Sequence, residues 1–521
     1  MKKNIKLFGI ILVLLPIMFM VGSCKKFLDR KPLTATLDDL NQGGIEGQIF
    51  GLYSAIKDYD IGQGFGGIPW LAFHGFRADD SEKGSDQADG AEWVAPFDHF
   101  DYVKDLWASN TYWDDHYRLI NLANTALQTA DSLALADESS QINIAEARFF
   151  RAYCYFDMVR SFGEVPKIDF RIYEASQANI AKSPVTDIYA LIDGDLEYAV
   201  SHLPTVWGAK YPGRLTSGAA RTLWAKSYLF RSNWAAAFAL SEQVISSGIY
   251  SLYPSYFGIF KDAGENCSES IFELQNYMGP NRTDDHGSWF ATAQGVRAGT
   301  ATGWNLGWGW NTPTDALVNS YEAGDPRKNS TILFSGQSDD PATGGYGNTL
   351  PNSIFDIPPG PLPRKYWNKK TYADPAVRQS TGWSDGAYWI NQRIYRYADV
   401  ILMAAECANE MGGAANQTLA VNYVEMVRAR ARGGASGILP PIAFVSQAQM
   451  RTAIKQERRA EFGMEGERFF DLVRWGDADA VLAALGYQHR NRYYPIPQPV
   501  IDSDGFTLPY LIFPKLRPSI A

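Results

Sequence analysis

From Asp38 to about Tyr250, apolar positions recur at steps of three and four, the spacing that places side chains on one face of a helix. Trp113, Tyr117, Ile120, Asn124 and Leu127 form one such stripe. Ala145, Phe149, Ala152, Tyr153 and Phe156 form the next, which should end near Gly163 with Pro166 beyond it. The same spacing predicts helices over 185–203, 216–231 and 234–247, punctuated by Pro204, Pro212 and Gly248. A further pair, 394–411 and 417–432, flanks Gly412-Gly413. Helix pairs joined by short loops are what an α-solenoid stacks, although no fixed repeat period runs along this chain. Between Tyr250 and Ile390 the periodicity fades, and Gly, Pro, Asn and aromatic residues take over. Trp289, Trp304, Trp308, Trp310, Trp367, Trp383 and Trp389 all fall there. This stretch is expected to be a loop-rich insertion on the helical scaffold, and such loops are where binding residues gather.

The first residues bear on location. Lys2, Lys3 and Lys6 precede an uncharged, mostly apolar run over 7–21. That run is shorter than the ~20 residues a bilayer-spanning helix needs, so it reads as a secretory signal. It ends in Val21-Gly22-Ser23-Cys24, which resembles the lipobox of bacterial lipoproteins. There cleavage precedes the cysteine, whose thiolate is the nucleophile for lipidation. Residues 1–23 are then a signal peptide, and Cys24 carries acyl chains such as palmitate that anchor the protein in a membrane. An ordinary signal peptide with an incidental cysteine is the alternative. Losing 1–23 removes three lysines and no acid, taking the net charge from −9 to −12. An acidic chain argues against nucleic acid and against docking on anionic lipid through a basic patch. Cys154, Cys267 and Cys407 are an odd set without CxxC; Cys154 and Cys407 sit in apolar helical runs and read as buried thiols.

Motifs for chemistry are mostly missing. The six histidines are scattered, with no HExxH, and neither GxSxG nor a Walker loop occurs. No metal or cofactor is expected. Residues 62–67 spell GxGxxG, but they follow a helical stretch rather than a strand, and Ile68-Pro69-Trp70 is a poor helix start. A flexible loop is expected instead. The acid-rich stretch 79–86 lacks EF-hand spacing and reads as a solvated loop. Residues 454–476, "IKQERRAEFGMEGERFFDLVRWG", crowd charges among aromatics. Two carboxylates could serve a glycosidase. Here, however, Arg458/Glu461, Glu465/Arg468, Arg468/Asp471 and Asp471/Arg474 are opposite charges at i,i+3. A catalytic acid needs a dry pocket without a neutralising guanidinium. The stretch is therefore expected to be a salt-bridged structural joint, with Gly463 and Gly466 marking a bend between two helical segments.

The same stretch resembles the C-terminal signature of the SusD/RagB family of outer-membrane nutrient-binding lipoproteins. "CKKFLD", "WDDHYRLINLANTAL", "AEARFFRAYCYFDMVRSFGEVP", "RYADVILMAAECANE" and "YPIPQPVID" follow in the family's order, so the resemblance spans essentially the whole mature chain. It implies a mainly α, SusD-like fold in one domain, 24–521. A tetratricopeptide-like helix-pair scaffold would cover about 38–250 and 391–475, with a loop-rich ligand-binding part over about 251–390. It further implies a non-catalytic lipoprotein of the outer membrane, facing the cell exterior, with a lipid anchor. Such a protein works as a lid on a SusC-like TonB-dependent barrel and captures oligosaccharide or, in some members, peptide. Lys25-Lys26-Phe27-Leu28-Asp29 departs from the acid-rich surface-export signal common in these bacteria. A lipidated glycoside hydrolase and a protein-binding helical scaffold are the competing classes.

For a glycan, the sequence offers candidates. Sugar C–H faces pack on aromatic rings, and hydroxyls need a few placed polar partners. Residues 303–310 hold Trp304, Trp308 and Trp310, which would share one face if the segment is extended. Trp93 lies where family members often place binding aromatics and is the fourth candidate ring, with Arg77 and Asp79 as possible hydroxyl partners. The alternative is that these rings fill the core of the insertion.

Overall fold

The structure, a computed structural model, describes residues 44–57, 64–85, 89–90, 94–277, 287, 289–297, 303–350, 365–380 and 388–502. Residues 1–23, expected to be a signal peptide, Cys24 and Trp93 lie outside the described residues.

The fold is mainly α, and its long helices follow the apolar stripes. α1 is Gly44–Ala55, α2 Ile68–His74, α3 Trp107–Ser132, α4 Glu138–Phe162 and α5 Val185–His202. α6 is Ser217–Phe230, α7 Trp234–Ser246, α8 the short Trp289–Gln294, α9 Tyr397–Met411 and α10 Ala414–Arg432. α11, Gln447–Phe462, and α12, Arg468–Trp475, complete the set needed here. Trp113, Tyr117, Ile120 and Asn124 are buried on α3, as predicted from their spacing. Caps stop and start these helices: the Asp137 carboxylate accepts from Ser140 N at 3.0 Å to open α4, and Gly163 at φ 77° ends it. From α3 to α7 each helix packs on the next, α7 packs on α9, and α9 packs on both α10 and α11. Cys154 and Cys407 are free buried thiols within this stack.

Strands are few and short. β1 (Ser81–Gly84), β2 (Ser270–Leu274), β3 (Trp310–Pro313), β4 (Ile332–Phe334), β5 (Tyr366–Asn368) and β6 (Gln392–Arg396) form antiparallel pairs β1–β3, β2–β6 and β4–β5. Two of these correct the sequence reading. The acidic 79–86 stretch is not a solvated loop: Ser81, Glu82 and Gly84 pair with Pro313, Thr312 and Trp310. Its flanking carboxylates, Asp79 and Asp80, turn inward to arginines. Ile68-Pro69-Trp70 does start a helix, α2, because proline lacks only an N–H that the first turn leaves unpaired anyway.

The charged joint at 454–476 runs through α11, a bend and α12. Met464 at φ 68° and Gly466 at φ 84° make the bend. A Cβ on Gly466 would lie 2.5 Å from the Trp70 ring, so glycine is required there on both counts. Of the four local pairs expected, Asp471–Arg474 forms at 2.7 Å; the other charges reach across the fold instead. Arg458 binds Asp399 of α9 at 2.8 Å and Asp471 at 3.0 Å. Arg468 binds Asp79 at 2.8 Å, and Arg459 binds Asp80 at 2.7 Å. Glu461, fully buried, meets Arg396 at 2.6 Å, Arg327 at 3.1 Å and Arg430. Glu465 holds Arg396 at 2.8 Å and Lys370 at 2.5 Å. Burial alone would raise the Glu461 carboxyl, but Arg430, Arg396 and Arg327 outweigh it and hold the group well below the usual range. Asp399 is held down in the same way by Lys226 and Arg458.

Removing one partner of a buried pair strands the other charge, at a cost of about 3–5 kcal/mol. Glu461→Ala should therefore lower the urea midpoint by far more than Arg468→Ala, whose side chain keeps 15% exposure; equal small shifts would contradict the buried network. Acid should act through the same groups. Carboxyls held down in the fold contribute stability above their unfolded value of about 4 and lose it as pH falls below. Burial raises Asp114 and Glu265 to about 7, and these oppose folding until protonated. Stability should thus rise from neutral pH to a maximum near about pH 5 and fall below about pH 4. A urea midpoint at pH 3 equal to that at pH 5 would refute the assignment.

Candidate functional site

The insertion builds an aromatic site where α8 meets the segment before β3. The last turn of α8 and Gly295-Val296 receive that segment through backbone hydrogen bonds. Leu306 N donates to Val296 O at 2.8 Å, Trp308 N to Thr292 O at 3.0 Å and Gly309 N to Gly295 O at 2.9 Å. The two chains lie so close that a Cβ on Gly307 would come within 2.5 Å of Gly295 Cα. This docking aims Trp308 at Trp289, with ring centroids 4.9 Å apart, and sets Trp310 edge-on to it at 6.0 Å. Trp308 stays half-buried, whereas Trp289 and Trp310 are 7% and 2% exposed.

A charged pair sits beside the indoles. Asp89 and Arg297 form a salt bridge at 2.5 Å, with side chains 35% and 23% exposed. Asp89 also accepts from Ser85 Oγ at 2.7 Å and from Trp310 Nε1 at 3.2 Å. Partial burial pushes the Asp89 carboxyl up, but Ser85, Trp310 and Arg297 together bring it below its ordinary value. A half-exposed indole face next to a charged donor–acceptor pair can stack a sugar ring and bond its hydroxyls. An ionised, neutralised carboxylate is poorly suited to donate a proton as a general acid.

The candidates from sequence scatter. Trp308 stands at the site. Trp310 supports it from below, its ring in the core and its N–H spent on Asp89. Trp304 leaves the group, because the segment turns rather than running extended: Leu306 N donates back to Trp304 O at 3.0 Å. It joins a small core cluster with Trp367 and Tyr372, stacking on Tyr372 at 6.3 Å. Arg77 is fully buried, its guanidinium 4.1 Å from the Phe469 ring and 5.0 Å from Phe73, and its Nε donates to Phe73 O. That enclosure leaves it no sugar to reach. Asp79 is taken by Arg459 and Arg468 at 2.8 Å each. Trp289, Asp89 and Arg297 escaped the sequence reading. Asp89 lies 208 positions before Arg297, and only the tertiary structure brings it beside Trp289, Arg297 and the docked turn.

Comparison with known proteins assigns relatives. The profile described as "SusD family" matches residues 268–502, and that described as "Starch-binding associating with outer membrane" matches residues 80–229. SusD-like protein P25 of Formosa agariphila is 27% identical over 512 residues, 92% of each chain. SusD-like protein P2 of the same organism is 28% identical over 408 residues, 75% of this chain and 77% of that one. Among solved structures, a laminarin binding SusD-like protein superposes with TM-score 0.71 at 25% identity, covering 89% of this chain and 99% of that one. A SusD homolog from Bacteroides thetaiotaomicron shares the fold, with TM-score 0.73 at 20% identity over 90% of this chain and 97% of its own.

Burial separates the tryptophans by effect. Truncating a buried Trp costs about 3–5 kcal/mol, so Trp304→Ala and Trp310→Ala should each lower the melting temperature strongly. Trp308→Ala, half-exposed, should lower it least. Calorimetric scans of the three variants check this, and a Trp308 variant as unstable as the others would make that ring core rather than surface.

Proposed function

Because the chain belongs to the SusD/RagB family, we propose that it is a non-catalytic surface lipoprotein that binds oligosaccharide or polysaccharide and delivers it to a TonB-dependent outer-membrane transporter. The observation that carries this reading is the likeness, over nearly the full length of both chains, to a laminarin binding SusD-like protein. The Trp308 face beside Asp89 and Arg297 supplies matching chemistry: an apolar ring for C–H groups and a charged pair for hydroxyls. Cys24 is the lipid anchor in this reading, residues 24–521 form one SusD-like domain, and a SusC-like barrel is the partner that moves the captured glycan. Trp93, near Asp89 in sequence, remains the next candidate ring, ahead of the enclosed Trp304 and Trp310. The competing ligand is a peptide on the same fold.

Affinity gels containing β-glucan, starch and other neutral polysaccharides test the reading. The protein should be retarded by at least one of them without releasing reducing ends, and Trp308→Ala should weaken that binding by about two- to tenfold, since a stacked ring contributes about 0.5–1.5 kcal/mol. Release of reducing ends would establish a hydrolase, and retardation by none of the glycans would favour peptide. From native membranes in mild detergent, the Cys24-acylated protein should co-purify with a TonB-dependent barrel; recovery without one would remove the transporter from the proposal.

A further inference from the structure

A cleft of about 440 Å³ lies between the end of α1, the loop joining α5 to α6, and β2. Phe50, Tyr53, Tyr211 and Phe272 supply its rings, and Phe50 and Tyr211 lie against each other as one tilted aromatic surface. Phe50 is 42% exposed, its ring 6.2 Å from that of Tyr211 and 5.2 Å from the Arg214 guanidinium.

The wall behind the rings is rigid and electrically spent. Arg214 is buried, and its guanidinium lies 4.2 Å from the Trp207 ring and 5.1 Å from Tyr211. Its Nε and Nη2 donate to the two oxygens of Glu146 at 2.8 and 2.7 Å, and Nη2 also to Asn143 at 2.8 Å. Tyr53 donates to Glu146 at 2.7 Å and accepts from Leu215 N at 2.8 Å. Glu273, the acid in the lining, is 2% exposed and turned to Arg393 and Asn391. Gly213, at φ 75°, brings backbone against Gln275 so closely that a Cβ there would sit 2.4 Å from the Gln275 side chain.

Lys57 is different. It lines the cleft half-buried, and among the described residues no carboxylate pairs with it. Burial lowers its ammonium to about 8, still mostly charged at neutral pH. A desolvated cation without a partner is costly, and an anion entering beside it regains that cost through a charge-assisted hydrogen bond. Lys210, 4.8 Å from the Tyr211 ring, adds a second positive group to the rim. An aromatic-walled cleft with this charge matches a ring that has both C–H faces and a carboxylate.

We propose that this cleft is a second carbohydrate subsite selective for an acidic sugar, with Lys57 holding the uronate carboxylate and Phe50 and Tyr211 stacking the ring. The ligand class rests on the glycan-binding function proposed above; the position does not. Isothermal titration of tetragalacturonate and laminarihexaose against the wild type and the Lys57→Met, Tyr211→Ala and Trp308→Ala variants tests it. Lys57→Met and Tyr211→Ala should each weaken tetragalacturonate by about tenfold or more, with laminarihexaose binding and melting temperature unchanged. Trp308→Ala should leave tetragalacturonate unaffected. Raising salt from about 0.05 to about 0.5 M should weaken uronate binding in the wild type far more than in Lys57→Met. No uronate binding by the wild type, or wild-type affinity retained by both cleft variants, overturns the subsite, even where laminarihexaose still binds. Lys57-dependent uronate binding without any neutral glycan binding upholds the cleft and sinks the Trp308 site instead.

Discussion

Buried charge is costly to leave unpaired, and the network that pairs most of it around α11 organises this protein. Moving an ion out of water costs several kcal/mol even after relaxation, so each buried guanidinium fixes the position of the carboxylates it faces. Glu461 meets arginines from three separate places: Arg327 in the insertion, Arg396 at the end of β6 and Arg430 on α10. Glu457 joins Arg327 to Arg428, and Glu269 joins Arg396 to Arg430. A helix of the scaffold, a strand pair and the insertion are thus clamped by one network. Aliphatic residues could fill the same volume, but they would not specify which segment faces which. The network specifies register through the pairing itself.

The aromatic site depends on that clamp only indirectly. β1 leads away from Asp79 and Asp80, which the ERR stretch of α11 and Arg468 hold, and β1 pairs with β3, which begins at Trp310. The charged joint therefore anchors the strand that carries the floor of the tryptophan cluster. Two facing glycines, Gly295 and Gly307, then let the preceding segment approach closely enough to turn Trp308 outward while Trp304 goes into a core of its own. Neighbouring tryptophans divide between surface and core because the chain reverses between them.

The two sites draw on different physics. At Trp308 the polar groups are a paired acid and base, suited to neutral hydroxyls. At Lys57 the wall's charges cancel among themselves and leave an ammonium that no carboxylate among the described residues pairs, suited to an anion. A chain with net charge −9 repels polyanions at long range, so a local cation in a partly dry cleft is what an acidic sugar would need to find there.

Much of the fold is legible in the chain. Helical stripes such as Trp113–Tyr117–Ile120–Asn124 identify their own buried faces, because period and burial are both local properties of a helix. The bend at Gly466 was readable for the same reason: only glycine fits its backbone there. The structural character of 454–476 was visible in its alternating charges, and the family in its order of motifs. Most partners of those charges were not visible: apart from Asp471–Arg474 and Arg458–Asp471, which pair within the stretch, they reach residues far along the chain, and spacing carries no information about them. The site followed the same division. Composition pointed to tryptophans in the insertion, yet which indole stays half-exposed depends on backbone contacts between 292–296 and 306–309. Arg77 looked like a free polar partner and proved to be enclosed by Phe73 and Phe469. Residue type and period were settled by sequence; pairing and exposure belong to the tertiary structure, because both depend on what distant segments bring alongside.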